Sequence, residues 1–150
     1  MKSLTATFFL CKVRYERTME DGTQKKVTEA YVLNAESFTE AEAKIIQEIT
    51  PYAGEMEVVE IDRAQFREFF YDKDRPAYKY YKAKLQFITL DEKGEKEKKT
   101  SVCYLVGADN LEMARRGVEE IFSDTMIDYN IVSLTETPIE NVFVYEQGGV

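Results

Sequence analysis

Tyr31-Val32-Leu33-Asn34-Ala35-Glu36-Ser37-Phe38-Thr39-Glu40-Ala41 and Tyr104-Leu105-Val106-Gly107-Ala108-Asp109-Asn110-Leu111-Glu112-Met113-Ala114 decide how this chain is built. Each stretch opens as an apolar run rich in β-formers and closes on a helix start. Ser37-Phe38-Thr39-Glu40 has the capping-box pattern, with Ser37 as N-cap and Glu40 three residues on, and Asp109-Asn110-Leu111-Glu112 is its counterpart. Beyond them Phe38, Ala41, Ile45 and Ile49 recur at helical spacing, as do Leu111, Ala114, Val118 and Phe122. Spacings of three and four put each set on one stripe of a helix. Thr50-Pro51 is expected to close the first helix, because proline disfavours helical geometry in the residue before it. The second loosens at Ser123-Asp124.

Upstream the likeness continues. Phe9, Cys11, Val13 and Tyr15 alternate with Lys12, Arg14 and Glu16; Tyr81, Ala83, Leu85 and Phe87 alternate with Lys82, Lys84 and Gln86. Period-two alternation marks a strand with one face buried and one wet. Glu20-Asp21-Gly22 and Asp91-Glu92-Lys93-Gly94 follow as turns, with Gly22 aligned on Gly94 where a hairpin needs positive φ. The returning strands are 27–34 and 100–107. Aligned at offset 72 from Cys11 and 73 from Tyr31, the stretches share Lys12/Lys84, Glu20/Glu92, Gly22/Gly94, Lys26/Lys98, Thr28/Thr100, Tyr31/Tyr104, Ala35/Ala108 and Ala41/Ala114. Co-registered strands, turn and helix stripe favour an internal duplication over chance.

After each helix a third strand is expected around Val59-Glu60-Ile61 and Val132-Ser133-Leu134. Phe66–Tyr71 and Ile139–Tyr145 suit a further strand, although the first could also form a helical turn. The expected fold class is α+β: two β-β-α-β(-β) units related by a pseudo-two-fold, an antiparallel sheet, and one helix per repeat packed on it. A unit of about 70 residues is marginal alone, so two would share a core. One globular domain spans 1–150, with repeats over 8–72 and 80–146, a linker at 72–78 and a frayed tail at 147–150.

Composition limits the chemistry. The 150 residues include 28 Asp+Glu, 20 Lys+Arg and no His, for a net charge of -8. Without histidine there is no Ser-His-Asp or Cys-His nucleophile and no His-ligated zinc. Cys11 and Cys103 form no CxxC motif and read as core thiols. Met1–Cys11 is interrupted by Thr5 and Thr7, so neither a signal peptide nor a membrane span is expected, and a reducing cytoplasm is the expected location. Met1–Arg75 carries 11 basic and 15 acidic side chains, and Pro76–Val150 carries 9 and 13. That even acidity disfavours nucleic acid unless the basic groups are segregated.

The phrase Tyr31–Glu42, with the preceding Lys12-Val13-Arg14-Tyr15, resembles an uncharacterised domain-of-unknown-function family of small cytoplasmic proteins from Bacteroidetes and their phages and mobile elements. The resemblance covers most of the chain and implies a bacterial or phage context and an accessory role. It assigns no catalytic residue.

Tyr78, Lys79, Tyr80, Lys82 and Lys84 form the most suggestive local pattern, since aromatics interleaved with lysines can stack on bases and contact phosphates. The bland reading is strand alternation, with Tyr81 inward, the lysines outward, and Tyr78 and Tyr80 over the edge. Lys93, Lys96, Lys98 and Lys99 mixed with Glu95 and Glu97 read as a solvated hairpin tip. Among the acids, Glu57 is expected to face away from Glu60 and Asp62, leaving surface charge rather than a site. Phe69, Phe70 and Tyr71 are expected in the core or at a partner surface. No cofactor or metal is implied. The leading reading is a non-catalytic interaction or self-association module with a protein partner or second copy. The alternative is single-stranded nucleic-acid binding through the lysine–tyrosine strand, and an enzyme with an unrecognised carboxylate site is the remote third.

Overall fold

The computed structural model describes residues 1–146. Its elements run β1 (Lys2–Thr5), β2 (Phe8–Thr18), β3 (Gln24–Asn34), α1 (Phe38–Ala53), β4 (Met56–Arg63), β5 (Glu68–Tyr71), β6 (Lys79–Leu90), β7 (Glu97–Ala108), α2 (Leu111–Phe122), β8 (Asp128–Glu136) and β9 (Ile139–Phe143). The fold is α+β, in two compact units. The α2 unit joins Met1–Thr5 to Gln65–Thr137; the α1 unit joins Ala6–Ala64 to the stretch that starts at Pro138.

In the α1 unit, β2 and β3 pair antiparallel with Cys11 opposite Tyr31 and Phe9 opposite Leu33. Gly22, at φ 86°, donates its N–H to Met19 O and closes the tip. Ser37 caps α1 by accepting the Glu40 N–H, while the Glu40 carboxylate reaches back to the Glu36 N–H. The helix then buries Ala41, Ile45 and Ile49 against Phe9, Cys11, Val13 and Leu33. Each fully buried branched side chain contributes roughly 1.5–3 kcal/mol. Pro51 does not end α1 as expected: it lies inside the last turn, where its missing N–H costs only the bond to Gln47 O. Gly54, at φ 66°, donates to Thr50 O and stops the helix.

The α2 unit repeats this scheme. β6 and β7 pair with Ala83 opposite Tyr104 and Tyr81 opposite Val106, and Gly94 donates to Asp91 O at φ 69°. Asn110 caps α2 by accepting the Met113 N–H. Ala114 and Val118 pack with Tyr81, Ala83, Leu85 and Val106. The hairpin tips differ in length: Thr18 pairs with Gln24, but Leu90 pairs with Glu97. The one-residue step in the alignment therefore falls at the tip. Lys26/Lys98 and Thr28/Thr100, aligned at offset 72, do not occupy matching positions.

The sheets are ordered β1-β5-β7-β6-β8 and β4-β2-β3-β9. They are not wholly antiparallel, in contrast to the expectation: β5 runs parallel to β7, and β9 parallel to β3. The physical reason is connectivity. β5 does not return beside β4 but pairs with β7, and β9 leaves β8 to pair with β3. Residues 64–71, left open between strand and helical turn, supply strand β5. Phe70 of β5 is fully buried in the α2-unit core, stacked on Tyr104 at 4.7 Å. β1, which no sequence pattern announced, adds antiparallel to the outer side of β5. The expected tail at 147–150 lies outside the described residues.

Candidate functional site

The lysine–tyrosine strand does not present one surface. Alternation along β6 sends Lys79 and Tyr81 to the α2 side and Tyr80, Lys82 and Lys84 to the other. Tyr80 is not over an edge: β6 is an interior strand, and the ring is 5% exposed, tilted against Phe69 at 6.1 Å. Tyr78 is exposed. Lys79 pairs with Glu136 at 2.7 Å, and this carboxylate raises the ammonium pKa. Lys82 lies opposite Leu105 and Thr135, and Lys84 opposite Cys103 and Ser133, so their strand neighbours carry no charge. The hairpin-tip lysines are exposed, as anticipated.

The β4 acids are arranged differently from their alternation. β4 pairs with β2 through Glu60 opposite Lys12 and Val58 opposite Val13, with Val59 as the extra residue of a bulge. One extra residue reverses the parity of everything before it. Glu57 consequently shares a face with Glu60 and Asp62 instead of opposing them. Glu57 reaches Arg14 at 3.9 Å and Glu60 reaches Lys12 at 3.2 Å. A hydrogen bond between Asp62 and Glu60 holds the Asp62 carboxyl above the usual carboxylate range and Glu60 below it, the latter aided by Lys12.

The same bulge shapes a groove that no sequence motif marked. Phe38, Thr39 and Glu42 of α1 face Val58, Val59, Glu60 and Ile61 of β4 across a cavity of about 300 Å3. Phe38 stands edge-on to Phe9 at 5.0 Å yet stays 48% exposed; Val59 is 41% exposed. Ile46, two helical turns beyond Phe38, is also exposed. Beyond the groove, β4 ends its sheet, and among the described residues no strand pairs with its outer edge. The α2 unit has a matching bulge at Val132, between the Lys84–Ser133 and Leu85–Ile131 pairs. Val132 and Leu111, which starts α2, are exposed there.

The other polar cluster is internally satisfied. Glu29 accepts from the Tyr15 and Tyr31 hydroxyls at 2.8 and 2.6 Å, with Arg17 3.8 Å away. Burial first, then the Glu29 carboxylate, pushes both phenols up. Both thiols are free; Cys11 is buried and pushed up to about 12 by burial, and Cys103 is half-buried rather than core. Among the described residues no helix is long and apolar enough to cross a membrane.

A family model described as a domain of unknown function (DUF4494) matches residues 7–145. No curated protein and no solved structure matches the chain.

Proposed function

The chain belongs to the DUF4494 family, and we propose that it is a non-catalytic protein-interaction module whose contact surface is the β4–α1 groove. One observation carries the reading: the β4 bulge turns Val59 outward beside Phe38 at a strand edge with which, among the described residues, no strand pairs. Bulges usually protect edges, and protection alone is served best by a charge. Here the lifted residue is valine, as it is at Val132 of β8. An extended segment can add to the edge through its backbone while its apolar side chains fill the groove. Glu42 and Glu60, which line the groove, favour lysine or arginine in that segment. Burying Phe38 and Val59 contributes roughly 1.5–3 kcal/mol each before the cost of association. One groove alone is therefore a weak contact, and engaging both units in one partner strengthens it.

Val59→Lys should leave stability within about 0.5 kcal/mol, as for other exposed positions, and abolish retention of partner protein from the native host. Unchanged retention rejects the groove as the contact. A strictly monomeric wild type that retains nothing rejects the interaction reading itself. A cytoplasmic location and an accessory role in a phage or mobile element belong to the same proposal.

Internal duplication, with copies related by a pseudo-two-fold, is part of this reading. The matched strand order, paired bulges and equivalent core positions Phe9/Tyr81, Leu33/Val106 and Ala41/Ala114 support it. An experimental structure whose two units fail to superpose would reject it.

A second reading, single-stranded nucleic-acid binding, is favoured by Lys82 and Lys84 facing Thr135 and Ser133 rather than carboxylates. It expects a gel shift that weakens steeply with salt and is lost in a Lys82→Glu, Lys84→Glu variant. Absence of any shift at low salt removes it.

A further inference from the structure

The β9 segment reaches the α1 unit from β8, in the α2 unit, through Thr137 and Pro138 alone. Its landing place is built in detail. β9 runs parallel to β3 with Val142 opposite Val32 and Phe143 opposite Leu33, and the Phe143 ring stacks on Tyr31 at 5.7 Å. Past the strand, Asn34 reads the Tyr145 backbone in both directions. Its Nδ2 donates to Tyr145 O and its Oδ1 accepts from Tyr145 N, each at 2.7 Å, with Asn34 only 2% exposed. The Tyr145 hydroxyl donates to Glu48, and Lys44 Nζ sits 4.3 Å from the ring centre.

These contacts join the segment to β3 and α1, and none of them requires that the segment come from the same molecule. We propose that this landing place also accepts residues 139–145 of a second copy of the chain, in a reciprocal strand-exchanged dimer. The occupant follows from complementarity: the sequence already fitted to Tyr31, Asn34, Lys44 and Glu48 is the chain's own. Reciprocal exchange between the same two copies is isologous, so it closes at two. Pro138 biases Thr137 toward extended backbone, which favours a hinge that projects β9 away from β8. Because closed and exchanged forms share these contacts, the hinge and the protein concentration set the balance between them.

The test is light scattering of the full chain, refolded from denaturant at about 1 mM and at micromolar concentration. A dimer is expected that forms at high concentration, persists on dilution and decays slowly. Pro138→Gly should lower its yield several-fold. A monomer under all refolding conditions overturns the proposal. So does a dimer whose yield ignores Pro138→Gly, which would assign association to another surface.

Discussion

Deleting residues 138–150 is expected to melt the α1 unit while the α2 unit keeps its hydrogen-exchange protection. The deletion removes the strand on β3 and uncovers Val32 and Leu33, both fully buried in the intact chain. It also removes both Asn34–Tyr145 hydrogen bonds, worth about 1 kcal/mol each, and the half-buried Phe143 and Tyr145, worth together about 2 kcal/mol by area. A loss of roughly 4 kcal/mol is large beside the 5–15 kcal/mol of a typical domain. Exchange mass spectrometry should show residues 8–34 and 38–53 exchanging rapidly and residues 79–108 still protected. Retained protection over 8–34 would mean that β9 is dispensable to its sheet.

Phe70→Ala should damage the α2 unit, although Phe70 precedes nearly all of that unit's sequence. Its ring is fully buried, stacked on Tyr104 at 4.7 Å and edge-on to Phe122 at 6.1 Å. Truncating a buried phenylalanine costs about 3–5 kcal/mol, since the cavity adds to the lost transfer energy. Urea unfolding should shift accordingly. Protection should fall first in residues 81–85, 104–106 and 114–118, which carry the core around Phe70. A loss confined to residues 8–34 would contradict the placement of β5.

Both predictions concern the part of the fold that local pattern does not carry. The hairpins, the turn glycines, the caps at Ser37 and Asn110 and the buried stripes were legible because each is settled within a few residues. Which sheet receives β5 or β9 was not, because Phe69-Phe70 and Val142-Phe143 would be apolar and β-forming beside any neighbour. Polar-or-apolar alternation sets a strand's faces but gives no address for its edges. The β4 groove was hidden for a related reason. The doubled Val58-Val59 is the only trace of the bulge, and a single inserted residue moved Glu57 across the sheet. The interleaving of tyrosine with lysine makes Tyr80 read as available; with strands on both sides of β6, the position it occupies is covered.

The reach of β9 back to β3 bears on how the protein comes off the ribosome. Asn34 and Tyr145 stand 111 positions apart, so the β2–β3 hairpin and α1 are synthesised long before the strand that completes their sheet. Closing so long a loop is slow relative to hairpin formation. The hydrogen-bonding side of β3 that β9 will occupy therefore stays open to chaperones, or to neighbouring nascent chains, for most of translation.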